Sequence, residues 1–174
     1  MKKMIFLAVM AIGMLFTGDL QAQKYPGLDK SPADIATFPR KSPVVKVVYG
    51  RPQLKGRDLE TLAPEGKVWR TGANEATEIT FYKDVNFGGQ DVKAGTYSVF
   101  SIPSSDQWTL ILNSDLNVWG AYSYNADHDV ARVQAKVETA SENIEALSVA
   151  FTGEESDMVM HVAWGTKRIS VEIK

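Results

Sequence analysis

The chain of 174 residues contains no cysteine and only two histidines, His128 and His161. It therefore forms no disulfide, offers no thiolate nucleophile and cannot build a cysteine-based zinc site. His128 lies in Asp127-His128-Asp129 and His161 in the apolar run Met158 to Trp164, and their separation matches no metal-ligand motif. Neither a metal nor another cofactor is expected. Positive charge is not in excess either: 19 Lys and Arg against 21 Asp and Glu give a net charge of −2, with the cations scattered along the chain. Nucleic acid, which calls for a basic face, is excluded on that ground. There is no Gly-x-Ser-x-Gly elbow, and Gly88-Gly89 is followed by a strand pattern, not by the helix that a phosphate-cradling loop needs. No residue is assigned a catalytic role. No stretch sustains a helical period, and there is no internal repeat or low-complexity tract.

Long apolar runs are absent except at the start. Lys2 and Lys3 precede a continuous apolar run from Met4 to Phe16, and Leu20-Gln21-Ala22 ends on a small residue. Residues 1–22 read as a secretory signal peptide cleaved near Ala22; the run is short for a membrane-spanning helix. An uncleaved anchor is the alternative. No cysteine stands near the cleavage point to carry a lipid. The mature protein is expected to be exported, periplasmic or extracellular, with no stable membrane span and a stability that rests on its core.

Residues 23–43 carry Pro26, Pro32, Pro39 and Pro43 and read as an extended lead-in, with one short turn at Ser31-Pro32-Ala33-Asp34. Residues 44–174 form the single domain. Val44 to Tyr49 and Thr77 to Lys83 alternate as strands, and residues 53–66 read as a loop with one helical turn. Gly95 to Ile102 and Gln107 to Asn113 are apolar on both faces and pair as a central hairpin. Residues 129–138 alternate again. Three further strands are expected near 144–152, 157–164 and 167–174, the last two joined by a tight turn at Gly165-Thr166. Short strands at regular spacing predict an all-β antiparallel β-sandwich, with a flattened β-barrel as its near neighbour.

Several motifs follow one another in order: Tyr49-Gly50-Arg51-Pro52, Lys55-Gly56-Arg57, Gly66 to Thr77, Ala94 to Phe100, Ile102-Pro103 and Trp119 to Tyr124. Together they resemble the DUF2911 family, over about residues 28–174. The resemblance implies an exported bacterial protein, of a kind found largely in Bacteroidetes, and no reaction. The chain departs from the family pattern at Gly50, where serine is usual, and across Glu60 to Glu65, where an aromatic, glycine-rich run is usual.

The polar groups that fit no two-residue repeat gather in Lys67 to Thr77. Trp69, Arg70, Asn74 and Glu75 have two readings. As a ligand site, the indole offers a flat apolar surface, the guanidinium a bidentate donor, and the amide and carboxylate directional bonds. As an internal clasp, Trp69 is core and Arg70 pairs with Glu75 across the turn. Arg51 and Arg57 either add positive charge to the same site or bond loop carbonyls and surface carboxylates. Trp119 and Tyr122 are candidates for stacking on a carbohydrate. The reading that follows is a non-catalytic module binding a small polar ligand, a glycan or an envelope protein through Arg51, Trp69, Arg70, Asn74, Glu75, Trp119 and Tyr122. An exported hydrolase using Glu75 or a histidine is the alternative.

Overall fold

Alternation along the chain becomes alternation of faces. In β2 (Val45–Gly50) Val45, Val47 and Tyr49 are buried, while Lys46, Val48 and Gly50 are half-buried on the other side. β3 (Thr77–Phe81) repeats the pattern with Thr77, Ile79 and Phe81 inward. β6 (Gly95–Ile102) and β7 (Gln107–Asn113) bury residues on both faces, as their apolar runs require. The molecule is a computed structural model that describes residues 23–174. The expected signal peptide, residues 1–22, lies outside the described residues.

The remaining strands are β1 (Ala33–Phe38), β4 (Val85–Phe87), β5 (Gln90–Val92), β8 (Asp129–Glu154) and β9 (Asp157–Ile173). All pairings are antiparallel, in the order β1-β2-β3-β6-β7-β8-β9-β4-β5. A short helix α1 (Leu59–Leu62) and a single 3-10 turn at Ala126–His128 complete the described elements. The sheet is continuous and is not closed into a barrel. Its two halves are the layers of the sandwich, and β8 belongs to both: Gln107 to Asn113 pair with its first part, and β9 pairs with it from Val137 onward. A strand that passes from one layer to the other makes the corner between them.

One core cluster joins the layers. Trp69 stacks on Trp164 of β9 at 5.4 Å and meets Trp108 of β7 edge-on at 5.9 Å. Phe81 meets Phe87 at 6.0 Å, and Phe38 stacks on Phe151 at 6.2 Å. A second, smaller cluster lies on the outer face of the first layer. Ala76, Phe100 and Ile111 form it, with Val68, Val118, Ala121 and Tyr124 packed against them. Residues 114–128 cross this face as a loop and are held there by buried Asn113, which donates to Asn125 O and Asp129 Oδ1, both at 2.9 Å. Tyr124 donates to Asp129 at 2.7 Å, and Arg132 donates to both.

Three local expectations change. The lead-in is not only extended: Ala33 to Phe38 form an edge strand in register with β2 from Gly50 to Val45. Residues 129–138 and 144–152 belong to one strand, because the polar stretch between them is carried through two register shifts near Ile144. Gly165 makes no hairpin: it sits inside β9 at φ +58, a kink that lets the strand continue, and the chain reverses instead between Glu154 and Asp157.

Candidate functional site

The stretch from Trp69 to Thr77 departs from regular strand for a structural reason. Trp69 and Ser101 exchange two backbone hydrogen bonds, at 2.7 and 2.8 Å, so residues 68–70 run beside the end of β6 in the place that β3 would otherwise occupy. The chain then loops out and returns: Thr77 N–H donates to Arg70 O at 3.1 Å, and its hydroxyl donates to Thr71 O at 2.8 Å. Thr71 and Asn74 take positive φ, +52 and +63, within the loop. Gly50 lets the loop settle on β2, since a Cβ there would lie 2.3 Å from Ala73 O. Glycine at this position therefore fits a backbone approach that a Cβ would obstruct.

Glu75 forms a bridge with Trp119. Ala76 N–H donates to Val118 O at 2.8 Å and Gly120 N–H to Asn74 O at 3.0 Å, flanking the pair on both sides. Glu75 and Trp119 thus occupy a non-hydrogen-bonded position, in which the two side chains stand side by side on one face. Trp119 is 60% exposed and Tyr122 is 90% exposed. Beside this pair lies a concavity of about 300 Å³. Its floor is Ala33, Val48, Tyr49, Gly50, Ala73 and Ala76; its polar groups are Asp29, Ser31, Asn74, Glu75, Glu78 and Asn117. The lining contains three carboxylates and no cation. Asp29 is held below the usual carboxylate range by the Ser31 N–H at 2.6 Å and by the Asn74 side chain. Glu78 accepts from Asn117 N–H at 2.9 Å. Among the described residues no hydrogen bond commits the Glu75 carboxylate.

The seven residues singled out by sequence do not converge on one point. Asn74 and Glu75 line the concavity, with Trp119 at its edge. Trp69 is 4% exposed and belongs to the core, so its indole offers no surface to a ligand. Arg51 is taken up by the protein itself: it donates to Leu147 O at 2.9 Å, Ser148 Oγ at 2.9 Å and Asp34 at 3.1 Å, tying β1 and β2 to β8. Arg57 donates to Leu54 O and Gln53 O. The expected Arg70–Glu75 clasp is not formed; among the described residues no ion pair joins Arg70 to any carboxylate. Trp69 points into the core, so Arg70 points to the outer face, where Tyr122 is near enough for its phenol to act on the charge. Burial pushes the guanidinium down, against that influence.

Sequence reasoning missed Asp29, Glu78 and Asn117. Glu78 is visible in the alternation of β3 as an outward residue, but its convergence with Asp29 follows from the register of β1 on β2 and leaves no local signal. The histidines stand apart from the concavity. His128 pairs with Asp115 at 2.9 Å, while Thr152 and Ser170 hydroxyls occupy both nitrogens of His161 at 2.8 Å. Among the described residues no three His, Asp or Glu side chains are placed to hold a metal ion, and no helix is long and apolar enough to cross a membrane.

A family model described as "Protein of unknown function (DUF2911)" matches residues 31–173, and the chain belongs to that family. No curated protein and no solved structure matches it.

Proposed function

We propose that the protein is a non-catalytic module, exported to the periplasm or beyond the cell as the bacterial, largely Bacteroidetes, family resemblance implies. On this reading it binds a small polar ligand, a glycan or an envelope protein at the outer face around Asn74, Glu75 and Trp119. The observation that carries the reading is the pairing of an exposed indole with an uncommitted carboxylate beside a concavity of about 300 Å³. Exposed indoles give a ring or a sugar an apolar face, and carboxylate and amide groups beside them fix its hydroxyls. A thermal-shift and calorimetric screen of neutral saccharides, polyols and envelope glycans tests it. The expected ligand raises the unfolding midpoint, and Glu75→Gln and Trp119→Ala each weaken it at least tenfold, about 1.4 kcal/mol. A screen whose hits bind both variants as well as the parent protein overturns the site. For export, the N-terminus of the mature protein is expected near Gln23; a soluble cytoplasmic protein beginning at Met1 contradicts it.

One observation favours the hydrolase reading: Glu75 and Glu78 share the concavity, and glycoside hydrolysis uses two carboxylates. Turnover of chromogenic glycosides that Glu75→Gln abolishes is the result that reading requires.

A further inference from the structure

We propose that Arg70 binds an anionic oxygen pair, a carboxylate or phosphate, carried by the ligand. The inference rests on the ligand-binding role proposed for this face and adds the charge of what binds.

Arginines in the described chain are otherwise well supplied with acceptors when they are not fully exposed. Arg51 has three, Arg132 has Asp129 and Tyr124, and Arg168 has the carbonyls of Gly165, Lys167 and Glu142. Arg70 is half-buried and has none. Its Nε is enclosed without a partner, the one such side-chain atom among the described residues, and no protein acceptor takes its terminal nitrogens. A guanidinium nitrogen enclosed without a hydrogen bond is costly, and an orphan of this kind calls for an explanation. Enclosure of Nε also fixes the plane of the group. Two terminal N–H groups held in a rigid fork match a carboxylate or phosphate edge, which a lysine ammonium does not reproduce.

The surroundings supply the rest of a site. Tyr122, 90% exposed, is near enough for its phenol to act on the charge of the guanidinium, and Trp119 stands on the same loop. Asp29, Glu75 and Glu78 line the neighbouring concavity without a cation, so an anion is repelled there. The acid group is therefore held at Arg70, and the hydroxyl-bearing body of the ligand turns toward Asn74 and Asn117. An acidic saccharide, with a uronic acid as its simplest form, has that division of charge.

The test titrates the full protein with glucuronate, glucose and inorganic phosphate, followed by tryptophan fluorescence and by NMR at low and at physiological salt. Glucuronate is expected to bind at least tenfold more tightly than glucose. Arg70→Gln removes that preference; Arg70→Lys, which keeps the charge and loses the fork, restores only part of it. Circular dichroism confirms that both variants fold. Competition by phosphate shows that the oxyanion is what is recognised, and its failure restricts the group to carboxylate. Glucose binding as tightly as glucuronate, or Arg70→Gln binding glucuronate like the parent, overturns the inference, as does the absence of saturable binding by both acidic probes. If a neutral sugar then still depends on Glu75 and Trp119, the proposed function stands without it. If the acidic probes bind through Arg70 while Glu75→Gln and Trp119→Ala are silent, Arg70 stands and the concavity reading fails.

Discussion

Arg51 and Arg70 begin from the same chemistry and end in opposite environments. Arg51 is committed three times over, and its bonds to Leu147, Ser148 and Asp34 fasten the edge of one layer to β8 of the other. Arg70 has its Nε enclosed and has no acceptor among the described residues. The clasp that the Trp69–Thr77 stretch suggests, Arg70 with Glu75, is absent, and the arginine that ties strands together is Arg51. What distinguishes the two is the chain they face. Arg51 lies against a stretch of β8 whose carbonyl and hydroxyl accept, whereas no acceptor among the described residues meets the Arg70 guanidinium.

That contrast is sharpened by substitutions whose effects range from large to small. Trp69→Ala removes the indole that stacks on Trp164 and meets Trp108 edge-on, and is expected to cost about 3–5 kcal/mol in chemical denaturation. A cost near that of a surface substitution would place Trp69 outside the core and undo the assignment of Arg70 to the outer face. Gly50→Ser drives a Cβ into Ala73 O and is expected to lower stability by about 1–3 kcal/mol while weakening any ligand held at Asn74 and Glu75. Arg51→Ala is expected to cost about 1–3 kcal/mol, chiefly through the lost bonds to Leu147 and Ser148. The Asp34 pair adds little, because both side chains are about a third or more exposed to solvent; Asp34→Asn should therefore leave most of the stability in place.

The smallest effect is one of pH. Asp115 raises the pKa of His128 above its ordinary 6.5, first through the hydrogen bond and then through its charge. The folded protein thus binds this proton more tightly than the unfolded chain does. The contribution is fully present below about pH 6.5 and is lost as pH rises through the folded value. An NMR titration of His128 should give a raised midpoint that Asp115→Asn returns toward the ordinary value. An unaltered midpoint in the variant would dissociate the pair.

The strands were legible where burial alternates on one face, as in Val45 to Gly50 and Thr77 to Phe81, and where it is continuous, as in Gly95 to Ile102. Trp69 and Arg70 were visible as an irregularity, but which of the two side chains faces the core followed only once the Trp69–Ser101 pairing was known. β1 was hidden by the prolines that flank it, Pro32 and Pro39. The joining of 129–138 to 144–152 was hidden by residues whose polarity says loop and which β8 carries through register shifts against β9. Local pattern records burial; it does not record which edge a strand meets, and both the Arg51 clasp and the meeting of Asp29 with Glu78 depend on that.

The most direct measurement compares the denaturation midpoints of Arg70→Gln and Arg51→Gln in the same buffer. With no partner to lose, Arg70→Gln should stay within about 0.5 kcal/mol of the parent protein or exceed it, while Arg51→Gln falls by more than twice that amount. A fall for Arg70→Gln as large as that for Arg51→Gln would contradict the division of roles between the two arginines and return Arg70 to the structural frame.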